Sequence, residues 1–111
     1  VKRKIIAYKN YFKDFYDSLD GATQEKVLYV LMLLKTQDRL PVKFIKSVGN
    51  GLYELRIEYN GNIYRVFFVF DGGMVVVLFN CFQKKTQKTP ASEIKKAIRL
   101  KEEYYGSKSK R

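Results

Sequence analysis

Arg56, Arg65, Asn80 and Phe82, together with the run Lys84-Lys85-Thr86-Gln87-Lys88-Thr89, are the residues whose types and spacing suit chemistry on a phosphate. Guanidinium forks grip phosphoryl oxygens in pairs, ammonium groups neutralise them as point charges, and aromatic rings stack bases. The lysine and threonine run holds no acidic residue and leads into a predicted helix, whose free backbone N–H groups and positive end favour an anion. Composition points the same way. Twenty-two Lys and Arg against eleven Asp and Glu leave +11 on 111 residues, the footprint of a domain that meets a polyanion. The chain has no histidine, which removes Ser-His-Asp hydrolysis, paired-imidazole ribonuclease chemistry and most zinc sites. Cys81 is the single cysteine, so neither an internal disulfide nor a thiolate zinc site can form, and a reducing cytoplasm suits the protein. No metal or cofactor is expected. The longest apolar run, residues 27–34, is far short of the roughly 20 residues of a membrane helix, and the basic start is too short for a signal peptide. A soluble, cytoplasmic protein with no membrane partner is the expectation.

Such side chains need a frame. One domain over 1–111 is expected, with 46% hydrophobic residues for its core and a frayed basic tail at 107–111. A short β-prone start, Lys4-Ile5-Ile6-Ala7-Tyr8, precedes Tyr11, Phe12, Phe15, Tyr16 and Leu19, which recur at helical spacing until Asp20-Gly21. A second helix over 22–37 is apolar nearly all round at 27–34 and is therefore a core helix. Residues 42–50 show no clear period and read as a loop. Strands follow at 52–59, 63–70 and 74–83, joined by Asn60-Gly61 and Gly72-Gly73, both suited to two-residue hairpin turns. Thr89 as N-cap and Pro90 at the first helical position open a last helix that ends near Tyr105-Gly106. The order β-α-α-β-β-β-α predicts an α+β domain, an antiparallel sheet with helices packed on one face.

Register then locates the charge. A two-residue turn at Asn60-Gly61 sets Arg56 directly opposite Arg65, and the same reasoning at Gly72-Gly73 sets Arg65 opposite Asn80. Like charges opposed across a ladder call for a counter-ion, either a protein carboxylate or a bound phosphate. Alternation gives one apolar face containing Tyr53, Leu55, Ile57, Tyr64, Val66, Phe68, Val75, Val77, Phe79 and Cys81. The other face carries Glu54, Arg56, Glu58, Arg65, Phe67, Leu78, Asn80, Phe82 and Lys84, and it is the expected site.

Gly51-Leu52-Tyr53-Glu54-Leu55-Arg56, then Tyr64-Arg65-Val66-Phe67, then Phe82-Gln83-Lys84-Lys85-Thr86-Gln87-Lys88-Thr89-Pro90 before a helix resemble the RelE/HigB superfamily of toxins from toxin-antitoxin pairs, more closely its phage-derived HigB-like branch. The resemblance implies a RelE-like endoribonuclease that cuts mRNA, typically in the ribosomal A site, without a metal. It also implies a cognate antitoxin, expected to carry a helix-turn-helix domain. On the matching positions, Arg65 takes the role of catalytic phosphate-binding residue, and Lys84 or Lys85 that of the acid-base group. Arg56, Asn80, Phe82, Thr86 and Lys88 are expected to contact RNA. A lysine near other cations and partly desolvated is held closer to neutrality, which suits a base.

Plainer readings stand beside these. Arg56 in Glu54-x-Arg56-x-Glu58 also suits an ion-paired solvated strand, the lysine run a solubilising loop, and Phe67 and Phe82 an apolar patch. Lys2-Arg3-Lys4 reads as a solvated start, Cys81 as a core residue, and Tyr104 and Tyr105 as packing for the last helix. The alternative function is a non-catalytic basic module of the same fold that binds RNA or DNA. A third is an interaction subunit whose basic face receives an acidic antitoxin.

Overall fold

In the computed structural model, which describes residues 2–85 and 88–109, the chain runs β1 (Lys4–Ala7), α1 (Tyr11–Asp17), α2 (Gly21–Thr36), β2 (Ile45–Gly49), β3 (Leu52–Tyr59), β4 (Asn62–Asp71), β5 (Val75–Lys84) and α3 (Ala91–Ser109). The strands form one sheet in the order β1-β5-β4-β3-β2. Three neighbouring pairs are antiparallel, but β1 lies parallel to β5, so the sheet is mixed and not purely antiparallel. The segment expected to be a loop contributes the edge strand β2, which pairs with β3 from Ile45 to Gly49. Its weak period has a physical cause: an edge strand packs little on either side, and Lys46 and Ser47 are both exposed.

Helices cover both faces, in contrast to the expected single layer. Val27, Val30, Leu31 and Leu34 of α2 bury against Leu55, Ile57, Tyr64, Val66, Phe68, Val76 and Leu78. On the opposite face Ala97 and Leu100 of α3 meet Leu52, Phe67, Val69, Val77 and Phe79. Val75, Val77 and Phe79 therefore lie on the face opposite to the one alternation assigned them, and Leu78 has changed sides too. Two local features do this. The loop after β4 holds three residues, with Asp71 opposite Val75, so every side chain at the start of β5 is turned over. A bulge then sets Phe79 and Asn80 together opposite Phe67, between the pairs Phe68–Leu78 and Val66–Cys81. The extra residue restores the original parity, so Cys81, Phe82 and Lys84 face as expected. At the other hairpin, Asn60 (φ 52°) and Gly61 (φ 79°) make the two-residue turn, and Arg56 does stand opposite Arg65.

The helix ends are tied by specific bonds. Asp20 caps α2 by accepting from the Thr23 N–H at 2.8 Å, and that bond holds its carboxyl below the usual range. At the far end, Arg3 is no solvated residue: its guanidinium donates to the carbonyls of Leu34, Gln37 and Asp38 at 2.7, 2.7 and 2.9 Å and lies 5.2 Å from the centre of the Phe70 ring. It closes orphan carbonyls where the helix dipole is negative. Helix α3 starts one residue later than expected, because the Pro90 carbonyl accepts the Ile94 N–H and the Thr89 hydroxyl is engaged elsewhere. It also continues through Gly106 to Ser109, anchored where Tyr104 and Lys108 both donate to the Asp71 carboxylate. Arg3→Ala is expected to lower stability by about 1–3 kcal/mol through loss of charge-assisted bonds, with Arg3→Lys recovering part of it, as read by urea denaturation.

Candidate nucleic-acid interface

The opposed arginines have different fates. Arg65 is 5% exposed and its Nε is ion-paired with Oε1 of Glu54, itself 2% exposed. Glu54 lies two residues from Arg56 on the same strand face, the diagonal neighbour of Arg65, within reach of a long side chain. The expected counter-ion is thus a protein carboxylate. Its second oxygen accepts from the Thr89 hydroxyl at 3.2 Å, so the segment leading into α3 is fastened to the same charge. Burial draws the Arg65 guanidinium down from its ordinary value; Glu54 opposes that shift and Arg56 adds to it. A guanidinium still stays charged in any accessible pH range.

Above this pair runs a groove of about 370 Å³ lined by Lys46, Ser47, Val48, Glu54, Lys84, Lys88, Thr89 and Ile94. Strand β2 supplies one wall and the end of β5 with the entry to α3 supplies the other. Lys84 is half-buried in it. Burial lowers its pKa first, Arg65 lowers it further, Glu54 pulls it up, and Arg56 and Lys46 push it down again. One carboxylate thus sits among Arg56, Arg65, Lys84 and Lys46, and the surplus is positive.

The expected residues separate into three groups. Lys84 and Lys88 line the groove, Arg65 is buried behind its wall on Glu54, and Arg56 stands beside Arg65 across the ladder. Lys85 is exposed just past the end of β5. Thr86 lies outside the described residues. Asn80 is a correction: Phe82, not Asn80, stands opposite Arg65, because the three-residue loop and the bulge each move the pairing by one. Asn80 is 1% exposed and its amide donates to the carbonyl and side chain of Glu93, so it positions α3 and is withdrawn from the surface. Phe82 is half-buried with its ring stacked on Phe67 at 5.9 Å, which leaves less of it for a base than the strand pattern suggested. Arg56 makes no ion pair with Glu54 or Glu58 among the described residues, contrary to the solvated-pair reading. Burial pushes the Cys81 thiol up, in keeping with a core residue.

Sequence reasoning missed Lys46 and Ser47, hidden in a strand taken for a loop, and the structural weight of Glu54 and Thr89. The diagonal placing of Glu54 was the signal that was there to be used. Tyr104 also packs directly on the sheet, edge-on to Tyr8 and Phe79, but at the end away from Lys84.

Family comparison fits this arrangement. A family model described as phage derived protein Gp49-like (DUF891) matches residues 14–102. The chain belongs to that family. Among solved structures it resembles an archaeal RelE–RelB complex from Pyrococcus horikoshii OT3, with 18% identity, TM-score 0.53, and coverage of 73% of this chain and 93% of that one. It also resembles an arginine-to-alanine variant of the E. coli toxin RelE bound to a RelB antitoxin peptide, with 17% identity, TM-score 0.55, and coverage of 85% and 90%. No curated protein matches the sequence. The fold of this Gp49-like chain is thus RelE-like, and the groove lies on its α3 side.

Removing one member of the buried pair strands the other charge. Arg65→Leu or Glu54→Leu alone is expected to cost about 3–5 kcal/mol of stability, and the two changes together much less than the sum of the two, in a double-mutant cycle followed by chemical denaturation. A loss in the double variant equal to the sum of the two single losses would show that the two charges are not coupled.

Proposed function

We infer that this protein is the toxin of a toxin-antitoxin pair, an endoribonuclease that cuts mRNA at the ribosome and so stops translation. The observation that carries the reading is Lys84: a lysine with its pKa lowered, in a basic groove whose wall includes Glu54, the partner of the buried Arg65, in a chain of RelE-like fold. RNA offers a nucleophile of its own, the 2′-OH. Neutral Lys84 takes the 2′-OH proton, the 2′ oxygen bonds to phosphorus, and the bond from phosphorus to the 5′ oxygen breaks, leaving a 2′,3′-cyclic phosphate. Arg65 carries the charge that builds on the phosphoryl oxygens, and Lys85 gives the departing 5′ oxygen its proton. Lys88 and Arg56 hold neighbouring phosphates. Proximity supplies several orders of magnitude once the ribosome holds the mRNA in place, so modest acid-base help suffices.

This chemistry uses ammonium and guanidinium groups throughout, and among the described residues no three His, Cys, Asp or Glu side chains gather as metal ligands. Cleavage is expected to persist in chelator. A cognate antitoxin with an acidic segment suits the +11 chain, and the two RelE structures it resembles each hold a RelB partner. A cytoplasmic site of action follows from the mRNA substrate.

Induced expression of wild type should arrest growth and produce mRNA ends at ribosome-occupied codons, whereas Lys84→Ala, on a half-buried side chain with no hydrogen-bond or ion-pair partner among the described residues, should lose the cuts while staying folded. Binding of RNA without any cut would instead favour the non-catalytic module. Because the base must be neutral, the rising limb of single-turnover cleavage against pH should lie below the ordinary lysine value. The rate should fall again where the general acid loses its proton, and a rate that is flat with pH, or that only falls as pH rises, would remove Lys84 from the role.

A further inference from the structure

A second basic groove lies beyond the one just described. It has a volume of about 230 Å³ and is lined by Lys26 of α2, Lys43 and Phe44 ahead of β2, and Arg56 and Glu58 of β3. Three cations face one carboxylate there. Lys26, Lys43 and Arg56 make no ion pair among the described residues, and the Arg56 Nε is shut off from solvent with no hydrogen-bond partner. A sequestered guanidinium N–H is costly without an acceptor, and Glu58 does not supply one within ion-pair distance.

Both lysines of this groove hold their ammonium groups over aromatic rings, Lys43 over one on the groove wall and Lys26 over one outside it. The Lys43 Nζ is 4.9 Å from the centre of the Phe44 ring, and the Lys26 Nζ is 5.4 Å from that of Tyr29, which is 47% exposed. Cations beside ring faces are the pairing that single-stranded nucleic acid uses, phosphate on the charge and base on the ring. Arg56 ties this groove electrostatically to the first one, with which it shares no lining residue. Arg56 is the cross-strand neighbour of Arg65, and its charge is felt at both Arg65 and Lys84.

Resting on the ribonuclease reading above, we propose that Lys26, Lys43 and Arg56 form a second phosphodiester subsite. It takes the RNA backbone on from the Lys84 groove, past Arg56 and toward α2, with Phe44 on its wall available to an unstacked base. The two grooves divide the work. Lys84 and Arg65 act on the phosphate that is cut, and this subsite fixes the strand that leads to it. An acidic protein segment is the competing occupant, but apolar anchors such as Leu28 and Met32 lie on the exposed part of α2 and are not among the groove's walls.

The test is the salt dependence of binding to a 2′-O-methyl RNA oligonucleotide, which binds but has no free 2′-OH to react. Each phosphate contact to a single strand contributes roughly 0.7 to the slope of log K against log salt. Lys26→Ala with Lys43→Ala should therefore reduce the slope by about 1.4, while Lys2→Ala with Lys35→Ala, an equal change of charge on exposed lysines elsewhere, should leave it at the wild-type value. A wild-type slope in the first double variant, or an equal fall in the second, overturns the subsite. So does loss of poly-glutamate binding with the RNA slope intact, which gives the groove to an acidic protein. Cleavage of unmodified mRNA by wild type is followed in parallel. Cleavage together with an unchanged slope sinks the subsite alone, and wild type that neither binds nor cleaves sinks both readings.

Discussion

Two arginines on adjacent strands, with a single buried carboxylate that pairs with one of them, set the terms for the rest of the molecule. The ladder places Arg56 and Arg65 side by side, and the α3 layer then withdraws one of them from water. A buried guanidinium is tolerated when its Coulomb attraction and hydrogen bonds offset desolvation, and Glu54 meets that need for Arg65 alone. Arg56 is left to seek an acceptor elsewhere. Thr89 binds the same carboxylate, so the approach to α3 is fixed by the ion pair as much as by packing. The pair thus holds the groove wall, and it keeps a guanidinium at a fixed orientation beneath Lys84 without a flexible side chain to order at the moment of binding.

Much of this frame was legible because its causes are local. Asn60-Gly61 tolerates the backbone of a two-residue turn, and that alone fixes Arg56 against Arg65. The segment after it shows why register reasoning drifts with distance. Gly72-Gly73 suits a two-residue turn equally well, yet Met74 joins the loop, and each added residue turns over every side chain beyond it. Phe79 and Asn80 bulge together and reverse the error. Lys84 was therefore assigned to its correct face through two shifts that cancel, while Val75, Val77 and Leu78, lying between them, were not. A bulge leaves almost no mark in composition, since it answers to the need of Asn80 to reach Glu93 and of Phe79 to enter the α3 core.

What the residue pattern hid in the site has a similar origin. Strand β2 buries little, so it has no hydrophobic alternation to betray it, and with it went Lys46 and Ser47 as groove walls. Arg3 looked like part of a solvated start because a charged residue flanked by lysines carries no sign of the three carbonyls that await it at the end of α2. Those partners are more than thirty residues away in sequence and are created only by the pairing of β1 with β5. Residue types told which groups can do phosphate chemistry. Tertiary contacts decided which of them are free to do it.

The two ends of α3 respond to different ranges of pH, and this keeps the groove's shape apart from its chemistry. At the far end, Lys108 and Tyr104 hold the Asp71 carboxyl below its ordinary value. A carboxylate with a depressed folded-state pKa adds stability above its unfolded value and loses it as pH falls through the folded value. Glu103, held low by Lys9 and Tyr8, behaves in the same way. Both carboxylates are therefore ionised at neutrality, and their contribution is lost as pH falls through the depressed values. Lys84 is shifted down from the opposite side of the scale, so its proton leaves while these anchors are intact. A change in groove chemistry on the alkaline side consequently reports the lysine and not a loosening of the helix that frames it.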